Sequence, residues 1–189
     1  MKQAILDFWF EGARTTFRPR WFEANAVFHA AIRTRFGTLL EPAGAGAFDA
    51  WAATPAGALA LVILLDQFPR NLRRGSAAAF ALDPKARAIA RAAVLRDRLD
   101  LALTATERGF LYLPFEHAEA MAEQDLSVAL FEGLRDNPVS AAPGGGINYT
   151  WRHRAVIARF GRFPHRNAAL GRAETPAEAA YLALPGSGF

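Results

Sequence analysis

The unbroken apolar run Leu59-Ala60-Leu61-Val62-Ile63-Leu64-Leu65 is the densest hydrophobic stretch of the chain. Thr54 followed by Pro55 has the form of a helix N-cap and a first-turn proline, so a helix is expected from there to about Gln67. A helix that is apolar on every side belongs at the centre of a helical protein. Asp66 follows the run, in the expected last turn, where a carboxylate faces the negative end of the helix dipole. That position calls for a cation, and Arg70, Arg73 and Arg74 are the nearest in sequence.

The remaining pattern predicts helix after helix. Gln3 to Phe10 places Ile5, Phe8 and Trp9 on one face. Gly12 to Arg20 reads as a basic loop, and Trp21 to Phe36 has a helical apolar period through Phe22, Val27, Phe28, Ile32 and Phe36. Pro42 to Gly46 reads as a loop, Phe48 to Trp51 as a short helix and Ser76 to Ala81 as a single turn. Asp83-Pro84 opens a helix to about Leu95. Thr104-x-x-Glu107 is a capping box, and Thr175-x-x-Glu178 is a second. Pro114 is expected to interrupt its helix or to start another that continues to about Arg135. Segment 137–146 reads as the one long loop, and Asn148 to Phe160 as a further helix. Alternation of the strand type is missing. The expected class is therefore all-α, built of antiparallel helical hairpins in one domain spanning 1–189.

Composition narrows the function. Apolar residues make up 52% of the chain, too many for a disordered one. The absence of cysteine removes disulfides and thiolate chemistry and fits a reducing compartment. Asp7 interrupts the first apolar segment and no small-residue cleavage site follows, so a signal peptide is not expected. The apolar run before Asp66 is too short to span a membrane. A cytoplasmic location is expected. Net charge is only +4 although the pI is 10.1, because the cations are nearly all arginine. Arginines interspersed with acids and alanines do not make a nucleic-acid-binding face.

Polar chemistry collects in three segments. Asp66-Gln67-Phe68-Pro69-Arg70-Asn71 has an echo in Phe160-Gly161-Arg162-Phe163-Pro164-His165-Arg166-Asn167: an apolar helix, Phe-Pro, basic residues, then asparagine. Proline explains a helix stop in both, but not the basic residues and asparagine after it. The echo predicts that the two turns lie at one end of the helical stack. The third segment, Phe110-Leu111-Tyr112-Leu113-Pro114-Phe115-Glu116-His117-Ala118-Glu119, places His117 on an apolar face with Leu113, Met121, Gln124 and Val128. Glu116 and Glu119 would then lie in a first helical turn, which suits carboxylates. His153 likewise shares a face with Tyr149, Ile157 and Phe160.

These three segments, with the opening Ile5-Leu6-Asp7-Phe8-Trp9-Phe10 and Trp21-Phe22, resemble a bacterial domain-of-unknown-function family, number nine-two-four. The resemblance covers nearly the whole chain. It implies an all-helical, tetratricopeptide-like fold and carries no established activity.

The expected function is binding of a small anion, a carboxylate or phosphate, by Arg70, Asn71, His165, Arg166 and Asn167. Phe68, Phe163 and Tyr112 would be apolar walls, with His117 beside them. One alternative is an enzyme drawing its acid–base groups from Asp66, Glu116, His117, His153 and His165. Neither the histidine pair of zinc helices nor the di-iron pattern occurs, so no metal or other cofactor is implied. Another alternative is a peptide-binding module. A third is a buried ion network that only fixes helix ends.

Overall fold

A computed structural model describes residues 1–188. Among them there are helices and no strand. The α-helices are α1 (Lys2–Phe10), α2 (Ala26–Phe36), α3 (Leu40–Gly44), α4 (Pro55–Val62), α5 (Phe68–Leu72), α6 (Asp83–Arg91), α7 (Ala105–Glu116), α8 (Met121–Glu132), α9 (Pro138–Ala141), α10 (Gly146–Phe160) and α11 (Pro176–Leu182). No helix is long and apolar enough to cross a membrane.

The apolar run forms the centre, as its all-round hydrophobicity requires. Every residue from Ala58 to Leu65 is fully buried. Helices α1, α6 and α7 pack on α4. Trp9 meets Trp21, Phe28, Phe68 and Phe110 in one aromatic cluster. A separate small core of Val156, Ile157 and Phe163 lies under the C-terminal quarter. Both capping boxes form, at Thr104 and at Thr175. Asn25 and Thr54 accept backbone N–H groups at their helix starts, as side chains of this type do.

The departures from expectation matter for the site. The central helix does not end at Gln67. It passes through a π-turn at Ile63–Gln67 and continues as α5. Pro69 has no N–H to donate and its ring would crowd a carbonyl one turn back. The wider π-turn, in which Phe68 N–H reaches the Ile63 carbonyl, accommodates it. Pro114 is absorbed inside α7, which ends at Glu116. Glu116 therefore sits at a helix C-terminus and not in a first turn, and the face expected to join Leu113, His117 and Met121 is broken before α8. Trp21 belongs to a short 3-10 turn, Pro19–Trp21, with α2 starting only after Asn25. Leu40–Gly44 is helical where a loop was expected from Pro42, and α9 lies within segment 137–146.

Candidate functional site

The two Phe-Pro turns do meet. Arg70 donates both terminal nitrogens to Asp83, at 2.8 Å each, and Arg166 Nη1 stands 3.7 Å from Asp83 Oδ2. Asp83 is the first residue of α6 and is buried. The Phe80 ring lies under both guanidinium groups, 5.6 Å from that of Arg70 and 4.6 Å from that of Arg166.

Asp66 projects from the π-turn into the same cluster and is fully buried. Its Oδ1 lies 3.1 Å from Arg70 Nη1 and 2.9 Å from His117 Nδ1, while Gln67 Nε2 donates to Oδ2 at 2.6 Å. Burial alone would raise the Asp66 pKa, but Arg70 and then His117 outweigh it and hold the carboxyl below its usual range. His117 is shifted down, first by burial and then by Arg70, despite the opposing pull of Asp66. The pair is thus an ionised carboxylate facing a neutral imidazole. Nδ1 carries the proton toward Asp66, which leaves the Nε2 lone pair as the basic position. Nε2 makes no hydrogen bond among the described residues, and the His117 side chain is 12% exposed.

Behind His117 lies a second acid–histidine pair. His153 donates Nδ1–H to the Tyr149 carbonyl at 2.9 Å and stands 3.2 Å from Glu116 Oε1. The two imidazole rings are 6.3 Å apart. Glu116 is buried, and burial first, then the Asp66 charge, pushes its pKa up to about 8. At neutral pH it is a carboxylic acid. His153 is held well below its ordinary value, chiefly by burial.

Arg166 differs from its counterpart Arg70. It is buried, stacked between the rings of Phe80 and Phe163 at 4.6 Å each, and its Nε has no hydrogen-bond partner among the described residues. Burial, then Arg70, draws its pKa down to about 10. His165 beside it is half-buried and lowered to about 4, by burial and then by Arg166.

Other candidates serve elsewhere. Asn71 turns its amide back to the Gln67 carbonyl, and Asn167 is buried beside Glu178. Phe68 belongs to the main core, against Trp9 and Phe36, and Tyr112 donates to Asp100. Of the three expected walls only Phe163 reaches the cluster. Glu119 accepts the Phe163 backbone N–H and pairs with Arg172, which ties the second turn to the gap between α7 and α8. Gln124 donates to the Glu116 and Ala118 carbonyls and fixes that gap from the other side. Arg73 and Arg74, considered as partners of Asp66, make no ion pair among the described residues; Arg70 takes that role.

Asp83, Phe80 and Thr150 escaped the sequence reading. Asp83 before Pro84 looks like an ordinary helix start, and Phe80 stands in an alanine-rich segment. Thr150 is hidden inside α10, where it pairs with Ser127 at 2.7 Å. Among the described residues, no group of three or more His, Cys, Asp or Glu is placed to hold a metal ion. Two surface grooves, one between α2 and α5 and one between α10 and the C-terminal segment, lie away from this cluster.

Comparison with known proteins gives a family and no activity. The model of DUF924, described as a bacterial protein of unknown function, matches residues 5–186. A solved structure of a protein of unknown function, ATU0120 from Agrobacterium tumefaciens, is 37% identical, covers 96% of this chain and 96% of its own, and superposes with a TM-score of 0.85. No curated protein matches the chain.

Proposed function

The chain belongs to the DUF924 family of bacterial proteins, and from that premise we propose that its polar cluster binds a small anion, a carboxylate or phosphate, against Arg166. The observation that carries this is the state of Arg166: a buried guanidinium whose nearest carboxylate among the described residues is 3.7 Å away and shared with Arg70. A buried charge normally finds close, hydrogen-bonded compensation. Arginine offers a fork of donors suited to carboxylate and phosphate, and Phe80 and Phe163 fix its plane. Arg70, first expected to share the clamp, is committed to Asp66 and Asp83 and serves to position Asp83.

The placement of His117 favours a second reading, acid–base catalysis on the bound anion. Its Nδ1 is oriented by Asp66, which leaves Nε2 the base, and the protonated Glu116 beside His153 supplies a buried acid. The expected peptide-binding role gains no comparable support from this cluster.

The test is a thermal-shift series with inorganic phosphate, succinate and malonate on wild type and Arg166→Gln. A ligand that binds only the native state at 100 times its Kd stabilises by about 2.7 kcal/mol. A concentration-dependent rise in wild type that is lost in Arg166→Gln is expected. No rise with any of the anions, or an equal rise in both proteins, rejects the reading.

A further inference from the structure

We propose that the groove between α2 and α5, lined by Arg33, Gly37, Thr38, Leu40, Leu72 and Arg73, is a second binding site, for a phosphomonoester that carries an apolar group. The groove is open to solvent and has a volume of about 380 Å³.

The groove by α10 is also lined by arginines, Arg152 and Arg159, but these stack on Tyr149 and Phe160. Elsewhere the arginines are mostly paired, as at Arg14, Arg91, Arg162 and Arg172. Arg33 and Arg73 line this groove, with Arg35 and Arg74 close to them in sequence, and none of the four reaches a carboxylate within 4.0 Å among the described residues. Arg35 stacks on Phe8 and Phe36, and Arg74 donates to the Glu23 carbonyl. That leaves Arg33 and Arg73, which line the groove and make neither an ion pair nor a side-chain hydrogen bond among the described residues. Glu41, the acid nearest Arg33 in sequence, and Asp66, the acid nearest Arg73, pair with neither.

Both arginines stand at helix C-termini, Arg33 in the last turn of α2 and Arg73 directly after α5. The helix dipole offsets part of their charge. It does not supply a counter-ion for the two arginines that line this groove. A phosphate dianion would accept from both forks at once. The Thr38 hydroxyl adds a neutral donor. Leu40 and Leu72 form a floor that a bare anion would not use, which selects an ester with an apolar substituent. Nearby His29 is shifted down, by burial and then by Arg74, with Arg33 adding to it.

Isothermal titration calorimetry with phenyl phosphate and inorganic phosphate tests the assignment in low salt. Phenyl phosphate is expected to bind about tenfold more tightly than inorganic phosphate, and Arg33→Gln/Arg73→Gln to weaken it by about tenfold or more. The titrations are also run in Arg166→Gln, which removes phosphate binding at the polar cluster and should keep the groove's roughly tenfold preference for phenyl phosphate, so that the two sites are separated. Arg33 is exposed and Arg73 half-buried, and the melting temperature of the double variant verifies that it is folded. Cosedimentation with vesicles containing phosphatidic acid, lost in the double variant, assigns the ester to a lipid headgroup; ester binding without vesicle binding assigns a soluble phosphomonoester. No heat with phenyl phosphate overturns the proposal. So does an affinity that the double variant leaves unchanged, or one that Arg166→Gln abolishes.

Discussion

The turns Phe68-Pro69-Arg70-Asn71 and Phe163-Pro164-His165-Arg166-Asn167 are written in nearly the same letters and are built differently. At the first, the helix runs on through the proline by widening into a π-turn, and Phe68 is locked in the main aromatic core. At the second, α10 stops at Gly161 in a left-handed conformation and the chain re-forms as a 3-10 turn at Pro164–Arg166. Phe163 then packs in the small C-terminal core. Both turns deliver an arginine to Asp83. One arrives with two short hydrogen bonds and a second carboxylate, Asp66; the other arrives at 3.7 Å with neither. The same residue type is thereby a structural tie in one turn and an incompletely compensated charge in the other. Proline in a motif therefore does not say whether the helix ends there, and arginine does not say whether it is available.

The largest expected effect is at Asp66. Asp66→Ala removes the carboxylate that faces Arg70 and His117 and leaves a buried guanidinium short of a partner, so a loss of about 3–5 kcal/mol is expected in urea unfolding. A loss below about 1 kcal/mol, the usual range for an exposed pair, would show that the cluster is not the tie described.

The next effect sets the two turns against each other. Arg70→Met leaves Asp66 and Asp83 buried without their main cation and should destabilise by about 3 kcal/mol. Arg166→Met removes a charge that is already costly to bury and keeps apolar contact with Phe80 and Phe163, so a change of about 1 kcal/mol or less is expected. Equal losses would erase the distinction.

A smaller effect follows from proton linkage. The Glu116 pKa is raised from 4.5 to about 8 in the folded protein. The native state then holds a proton that the unfolded chain releases, and stability falls as pH rises toward about 8. His117, His153 and His165 are shifted the other way. They remove stability as pH drops below the unfolded histidine value of about 6.5. Asp66 acts only in more acidic solution, since its carboxyl is held below the usual range. Between about pH 6.5 and 8 Glu116 dominates the cluster, so the melting temperature should decline across that window. Glu116→Gln should flatten the decline. A wild-type curve that rises through the window would contradict a protonated Glu116.

How much of this could be read from residues alone follows the range of each signal. The start of the central helix, the capping boxes and the all-α class rest on local patterns and are found where expected. The echo predicted correctly that the turns converge, because repeated polar chemistry after buried helices has few other places to go. The π-turn at Ile63–Gln67 was not readable, since it resolves a clash between Pro69 and the turn before it without any residue of its own. Asp83 and Phe80 were invisible for a different reason. Their importance comes from contacts with Arg70 and Arg166, distant in sequence, and a helix-opening aspartate looks the same whether or not an arginine waits above it. Pro114 misled the reading in the opposite direction: tertiary packing holds it within α7, and Glu116 is carried to a helix C-terminus where burial keeps its proton.

The central claim is that Arg70 and Arg166 share Asp83 unequally, and a pair of double-mutant cycles measures this directly. Asp83→Asn is combined with Arg70→Met in one cycle and with Arg166→Met in the other, each read by urea unfolding. A coupling of about 2–3 kcal/mol is expected for Arg70–Asp83 and about 0.5 kcal/mol or less for Arg166–Asp83. Couplings of equal size would mean that Arg166 is fully engaged by Asp83 and has no charge left to offer an anion.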